Sequence, residues 1–268
     1  MRLGHRAAEP RGMTTNTLLP SSSTSPAARP GAGRRTALAV TGFLACFLPA
    51  VFAFNMARFL LTGELPDHRF HQATGQGLLL CAVWLVPLLG LLRAGWAGRR
   101  PSAAAGWQHV SFLTVGAVCA AVAPGGGAPS LVAVVAVTGA LVWAALPLRP
   151  RLLEPVLVDP LVAPLALLAT AWFAPYAVGQ LQAQDAVTAG NHLHNPHLFD
   201  MAWLVGVLMV TGLLAALLPS VRHLVGWLAG PAVVLGAAGL AFGEPTTWSL
   251  VTLSLGVVCA AGSLLRRR

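Results

Sequence analysis

Long runs of apolar residues, broken by short polar punctuation, dominate the sequence. Eight of them are long enough to cross the roughly 30 Å of bilayer hydrocarbon as an α-helix. They lie at about Thr36–Leu61, Gly75–Leu92, Trp107–Ala123, Ala128–Leu148, Val156–Leu181, Leu198–Leu218, Leu224–Phe242 and Thr246–Leu265. Glycine, proline and charge separate them, as in Gly63 to Pro66, Arg99-Arg100-Pro101, Arg149-Pro150-Arg151, the Gln182–Pro196 loop and Gly243-Glu244-Pro245, which are the residues that end helices and make turns. The pattern predicts an all-α fold, a polytopic membrane bundle of about eight transmembrane helices. Ahead of the first run, residues 1–35 are rich in Pro, Ser, Thr, Gly and Arg, and that composition predicts a disordered cytoplasmic tail. Met13 is an alternative start, and no cleavage site precedes the first run, which therefore reads as an anchor rather than a removed signal.

Composition agrees with a bilayer as solvent. Hydrophobic residues make up 56% of the chain and charged ones 9%, and mean hydropathy is +0.71. A net charge of +9 would suggest nucleic acid in a soluble protein, but the placement of the charge argues otherwise. All 17 basic residues are arginine, and with the N-terminus inside, only Arg58 and Arg69 fall in external segments. Arginine is retained in cytoplasmic loops, so the bias predicts both termini in the cytoplasm of a multi-pass plasma-membrane protein, with lipid rather than nucleic acid as its surroundings. Cys46, Cys81, Cys119 and Cys259 sit within predicted spans, away from loops where oxidation would pair them.

The spans also suggest two pseudo-repeats of four helices, 36–148 and 149–268. In each half the external loop after the first span ends in histidine: His68-Arg69-Phe70-His71 in one, His192-Leu193-His194-Asn195-Pro196-His197 in the other. Each half also has a short Gly/Pro turn between its third and fourth spans. Four spans preserve orientation, so such halves would be related by a two-fold along the membrane normal.

Polar groups held at or within a bilayer are costly and tend to mark a site. His68, His71, His192, His194 and His197 gather on one side with Asp67 and Asp200. His68 with His71, and His197 with Asp200, have the spacing that shares a helix face; Pro196 starts a helix at His197 and leaves His194 in the loop. Imidazole with carboxylate suits zinc, copper or iron, so His68, His71, His194, His197 and Asp200 are candidate metal ligands. Solvated loops or a pH-sensing role are the competing readings. Arg58 at its depth needs a partner, either Glu64 or Asp67 or an anionic ligand. Tyr176, Gln180, Gln182, Gln184 and Asp185 form a polar exit from span five. His109 and His223, at the opposite ends of spans three and seven, read as interfacial.

Eight spans in two halves, with a histidine opening the second span of each, resemble the heme A synthase family. The local similarity is His71-Gln72-Ala73-Thr74-Gly75, then an apolar run with Pro87 closed by Arg93, similar to that family's His-Arg-x-x-Gly opening of span two; its counterpart is His197 before Leu198–Trp203. The sequence departs from the family in lacking histidines on spans four and eight and an external cysteine pair, in having Gln72 for the arginine, and in having His68 where a glutamate is expected. The resemblance implies the scaffold and a haem held by His71 and His197, with Arg58 facing a propionate.

The expected function is therefore a membrane protein with an extracytoplasmic histidine site for a metal or haem, in an oxidoreductase or cofactor-handling role. A small-solute transporter is the alternative, with Pro160, Pro164 and Pro175 breaking span five. A non-catalytic assembly subunit is a third, and a second copy or another membrane protein is the partner class each allows. No Walker loop, nucleophile elbow or HExxH helix is present.

Overall fold

The computed structural model describes residues 30–63, 69–125 and 128–265, without the side chains of Leu60, Asn191, His194 and Leu265. Eight helices in it are long and apolar enough to span a membrane. They are Ala32–Thr62, Arg69–Trp96, Ala103–Val122, Ala128–Ala145, Val162–Asp185, His197–Leu217, Leu224–Phe242 and Thr246–Leu265, called here spans one to eight. No strand occurs among the described residues. Successive crossings put His71, His197 and the turn at Gly243 on one face, the histidine face. Arg34, Arg100, Arg149 and Arg222 lie on the other, the arginine face.

Most of the expected tail lies outside the described residues, but its last part does not. Span one already begins at Ala32, and Arg34 donates to the Leu146 carbonyl at 3.0 Å, just past the end of span four, where helix carbonyls lack intrahelical partners.

Span five starts later than the apolar pattern suggests, at Val162 rather than near Val156. Asp159 accounts for this: its Oδ1 accepts from the backbone N–H groups of both Leu161 and Val162 at 3.0 Å, capping the helix there. The apolar residues before it form an extended strap. Backbone N–H groups of Leu157 and Asp159 donate to the carbonyls of Leu217 and Ala216 at 2.9 and 2.8 Å, satisfying the end of span six. Arg222 ties the strap down, donating to the Leu157 carbonyl at 2.6 Å and lying 3.5 Å from Asp159 Oδ2. Span five is one continuous helix around Pro175, with Pro160 before it and Pro164 in its first turn. The broken helix expected for a transporter is absent from this span.

Span two is wound differently from the others. From Gln72 to Trp84 it is a π-helix, and the Leu85 N–H reaches back five residues to the Leu80 carbonyl. π-turns are uncommon and concentrate at functional sites.

Span six is the buried centre, with Phe199, Met201, Ala202, Trp203, Leu204, Val205 and Val207 all at 0% exposure. It packs against spans two, three and five, while span two also meets span seven. Exchanging the two halves maps the three–six contact onto the seven–two contact and the two–six contact onto itself. Within the halves the correspondence is looser. Span one lies along span four, whereas spans five and eight make no comparable backbone approach. Spans seven and eight are instead the closest pair. A Cβ on Gly236 would lie 2.4 Å from the Leu253 nitrogen, and one on Gly256 would lie 2.7 Å from the Val233 nitrogen. Small residues allow this approach, which is how helices associate without a hydrophobic drive between them.

Candidate site at the histidine face

Span six supplies the centre of the site. Pro196 precedes its first residue, and His197 and Asp200 share the face of its first turn. Both are inside the protein, at 0% and 1% exposure. The Asp200 backbone N–H bonds the Pro196 carbonyl at 3.0 Å, and the carboxylate has the Gln76 amide beside it and no paired cation among the described residues. The helix N-terminus favours a negative charge there by about 0.3–1 kcal/mol. Burying a carboxylate without a counter-charge costs several kcal/mol, so the dipole offsets only part of that cost.

Span two closes over this turn. A Cβ on Gly75 would stand 3.2 Å from Met201 Sδ, 3.3 Å from Asp200 Cβ and 3.4 Å from the His197 carbonyl oxygen. The absence of a side chain there is what lets the two spans touch. Thr74 donates to the Phe70 carbonyl at 2.6 Å and lies 3.1 Å from Met201 Sδ. The Gln76 amide donates to Asn195 Oδ1 and lies beside the Asp200 carboxylate. Gln72, 3% exposed, keeps an Nε2 with no partner among the described residues.

The segment before span six completes the wall. His192 meets the His197 ring edge-on, with centroids 5.8 Å apart, and its backbone carbonyl accepts from Gln184 Nε2 at 3.0 Å. At the end of the same span, Asp185 Oδ1 accepts from the Gly125 N–H at 3.1 Å, holding the turn between spans three and four. Farther along, the His71 ring packs edge-on against Phe70 at 5.4 Å; Phe70 meets Trp248 at 6.2 Å, and Trp248 stacks on Tyr176 at 4.5 Å.

Of the residues singled out from the sequence, His197 and Asp200 therefore stand together, and His71 lies one turn from the Gly75 contact that joins its span to theirs. Arg58 is exposed, its guanidinium 4.8 Å from the centre of the Phe59 ring. His68, Glu64 and Asp67 lie outside the described residues, as does the side chain of His194, whose backbone belongs to a one-turn helix, Asn191–His194, and not to a loop. Among the described residues no three His, Cys, Asp or Glu side chains converge as a metal-binding group.

His109 departs from the interfacial expectation. It is 1% exposed, stacked between Trp84 at 5.0 Å and Trp143 at 5.7 Å, a core residue on the arginine side. His223 is exposed at its helix end.

No family model matches the chain, and no curated protein or solved structure is significantly similar to it.

Proposed function

We propose that this multi-pass membrane protein holds a transition-metal cation at its histidine face, in a cofactor-handling or oxidoreductase role. The observation that carries the reading is the Asp200 carboxylate, 1% exposed, with the Gln76 amide beside it and no cationic side chain paired with it among the described residues, one helical turn from the fully buried His197. A carboxyl buried without a counter-charge is held neutral by a proton or ionised by a bound cation, and carboxylate with imidazole is a donor set for zinc, copper or iron. His197 and Asp200 are the inner ligands; His71, His68 and His194 are the groups that would complete the shell. Gln76 and Asn195, bonded to each other, hold the wall of the site beside Asp200. The contact at Gly75 favours a bare ion over a haem. The arginine bias supports an extracytoplasmic histidine face, and the plasma membrane is the location we propose.

The test is the metal content of full-length protein purified in detergent after growth with zinc, copper or iron supplied. Wild type should retain about one ion per chain, and His197→Ala and Asp200→Asn should each lose most of it, the double variant losing little more. Metal-free wild type under all three supplies would overturn the reading.

A further inference from the structure

Between spans one and two, toward the arginine face, runs a groove of about 490 Å³. Leu38, Ala39, Gly42 and Cys46 line it from span one and Leu92 from span two. The helices meet at Gly42, where a Cβ would stand 2.8 Å from Leu92 Cδ2, and the groove opens beside that line toward the bilayer. A cavity of roughly 150 Å³ accommodates benzene, so this space takes about three times as many carbons, the size of one acyl chain. Its length agrees. From Leu38 to Cys46 a helix rises about 12 Å, most of the roughly 15 Å of hydrocarbon in one leaflet.

The end of the groove at the arginine face is cationic. Arg93 and Trp96 line it there. Arg35 lies one turn before Ala39 on the groove's own face of span one, its guanidinium 5.8 Å from the centre of the Trp96 ring. Its Nε is shut off from water and has no hydrogen-bond partner among the described residues. Neither Ala32–Thr62 nor Arg69–Trp96 contains an acidic residue, and no carboxylate pairs with Arg35 or Arg93 among the described residues. The acids on this face that the structure describes are engaged elsewhere, Glu154 by Ser220 and Asp159 by Arg222. Two guanidinium groups thus stand at the mouth of an apolar groove without a counter-charge.

Guanidinium matches phosphate geometry, and basic pockets between helices on the cytoplasmic side bind lipid head groups. The missing carboxylate narrows the class. A choline or ethanolamine ammonium would find no anion to receive it, whereas a head whose only charge is its phosphate leaves nothing unpaired. We propose that the groove binds one anionic phospholipid of the arginine-side leaflet, its phosphate held by Arg35 and Arg93 beside Trp96 and one acyl chain lying along Leu38 to Cys46. This site is separate from the metal site and does not depend on it.

The experiment uses full-length protein in phosphatidylcholine nanodiscs with a trace of phosphatidylglycerol carrying a photoreactive diazirine on one acyl chain, labelled peptides being located by mass spectrometry. Labelling should concentrate on the groove lining of spans one and two. Replacing part of the matrix with unlabelled phosphatidylglycerol should suppress it several-fold, whereas the same amount of phosphatidylethanolamine, or inorganic phosphate, should not. Ala39→Phe and, independently, Cys46→Phe fill the groove and should remove most of the labelling. Val137→Phe, at an exposed position of span four, should leave it intact. Arg35→Gln combined with Arg93→Gln should erase the preference for phosphatidylglycerol while chain labelling persists, with Arg34, Arg99 and Arg100 left to hold the topology. Labelling that survives both filling variants, spreads evenly over the lipid-facing helices, or yields equally to phosphatidylethanolamine or inorganic phosphate would overturn the proposal. So would a preference for phosphatidylglycerol that outlasts the loss of both arginines.

Discussion

Asp200 concentrates the tension at the residue scale. As Asp200→Asn it keeps its shape and loses its charge, so the metal-free protein should become more stable, by about 1–3 kcal/mol. Thermal unfolding in detergent with chelator present checks this; a less stable variant would mean that the carboxylate makes a structural bond. Glu244, in the turn between spans seven and eight, poses a milder case outside the membrane. Partial burial raises its carboxyl above the usual range, so the protonated form is favoured in the folded protein. That contribution is complete below the unfolded value and is lost as pH rises through the folded one. Glu244→Gln should therefore raise the melting temperature at neutral pH, with the difference vanishing in acid. The His197–Asp200 pair was legible because Pro196 fixes the helix start and the spacing follows. Gln76 and Asn195 were not, because single amides separated by more than a hundred residues form no pattern along the chain. His109 was misread for a related reason: span three begins at Ala103 rather than at Trp107, which carries the imidazole deeper, between two indoles.

At the scale of single helices, hydropathy located all eight spans, and at the start of span five, which it misplaced, specific hydrogen bonds were responsible. Asp159 holds back the start of span five against an apolar run that would otherwise extend it. The π-winding of span two has no signature in the sequence, since it changes which groups bond without changing which are apolar. Pro175 shows the limit of reading prolines as breaks. Its ring is accommodated in a continuous helix, so Pro175→Ala should leave the melting temperature unchanged or raise it. Gly75 should be far less tolerant. Gly75→Val would drive two methyl groups into Met201 and Asp200, costing about 1–3 kcal/mol, and the same variant should lose metal; retention of both stability and metal would show that spans two and six need not touch there.

Across the whole molecule, the arginines do more than signal orientation. Arg34, Arg100 and Arg222 each bond a backbone carbonyl on their own face, Leu146, Arg149 and Leu157 in turn, so the residues that bias topology also stitch the helix ends together. Reporter fusions after Arg100, Arg151 and Arg222 should report cytoplasmic, and fusions within 182–196 external; the opposite result would reverse the assigned sides of the metal site. The close seam between spans seven and eight has a consequence for how the chain is made. Joined by the short turn at Gly243-Glu244-Pro245 and fitted backbone to backbone at Gly236 and Gly256, the two helices can leave the translocon as one preassembled hairpin. A chain stopped at Gly243 would release span seven with its glycine face bare to lipid, a form that quality-control proteases should clear faster than the full-length protein.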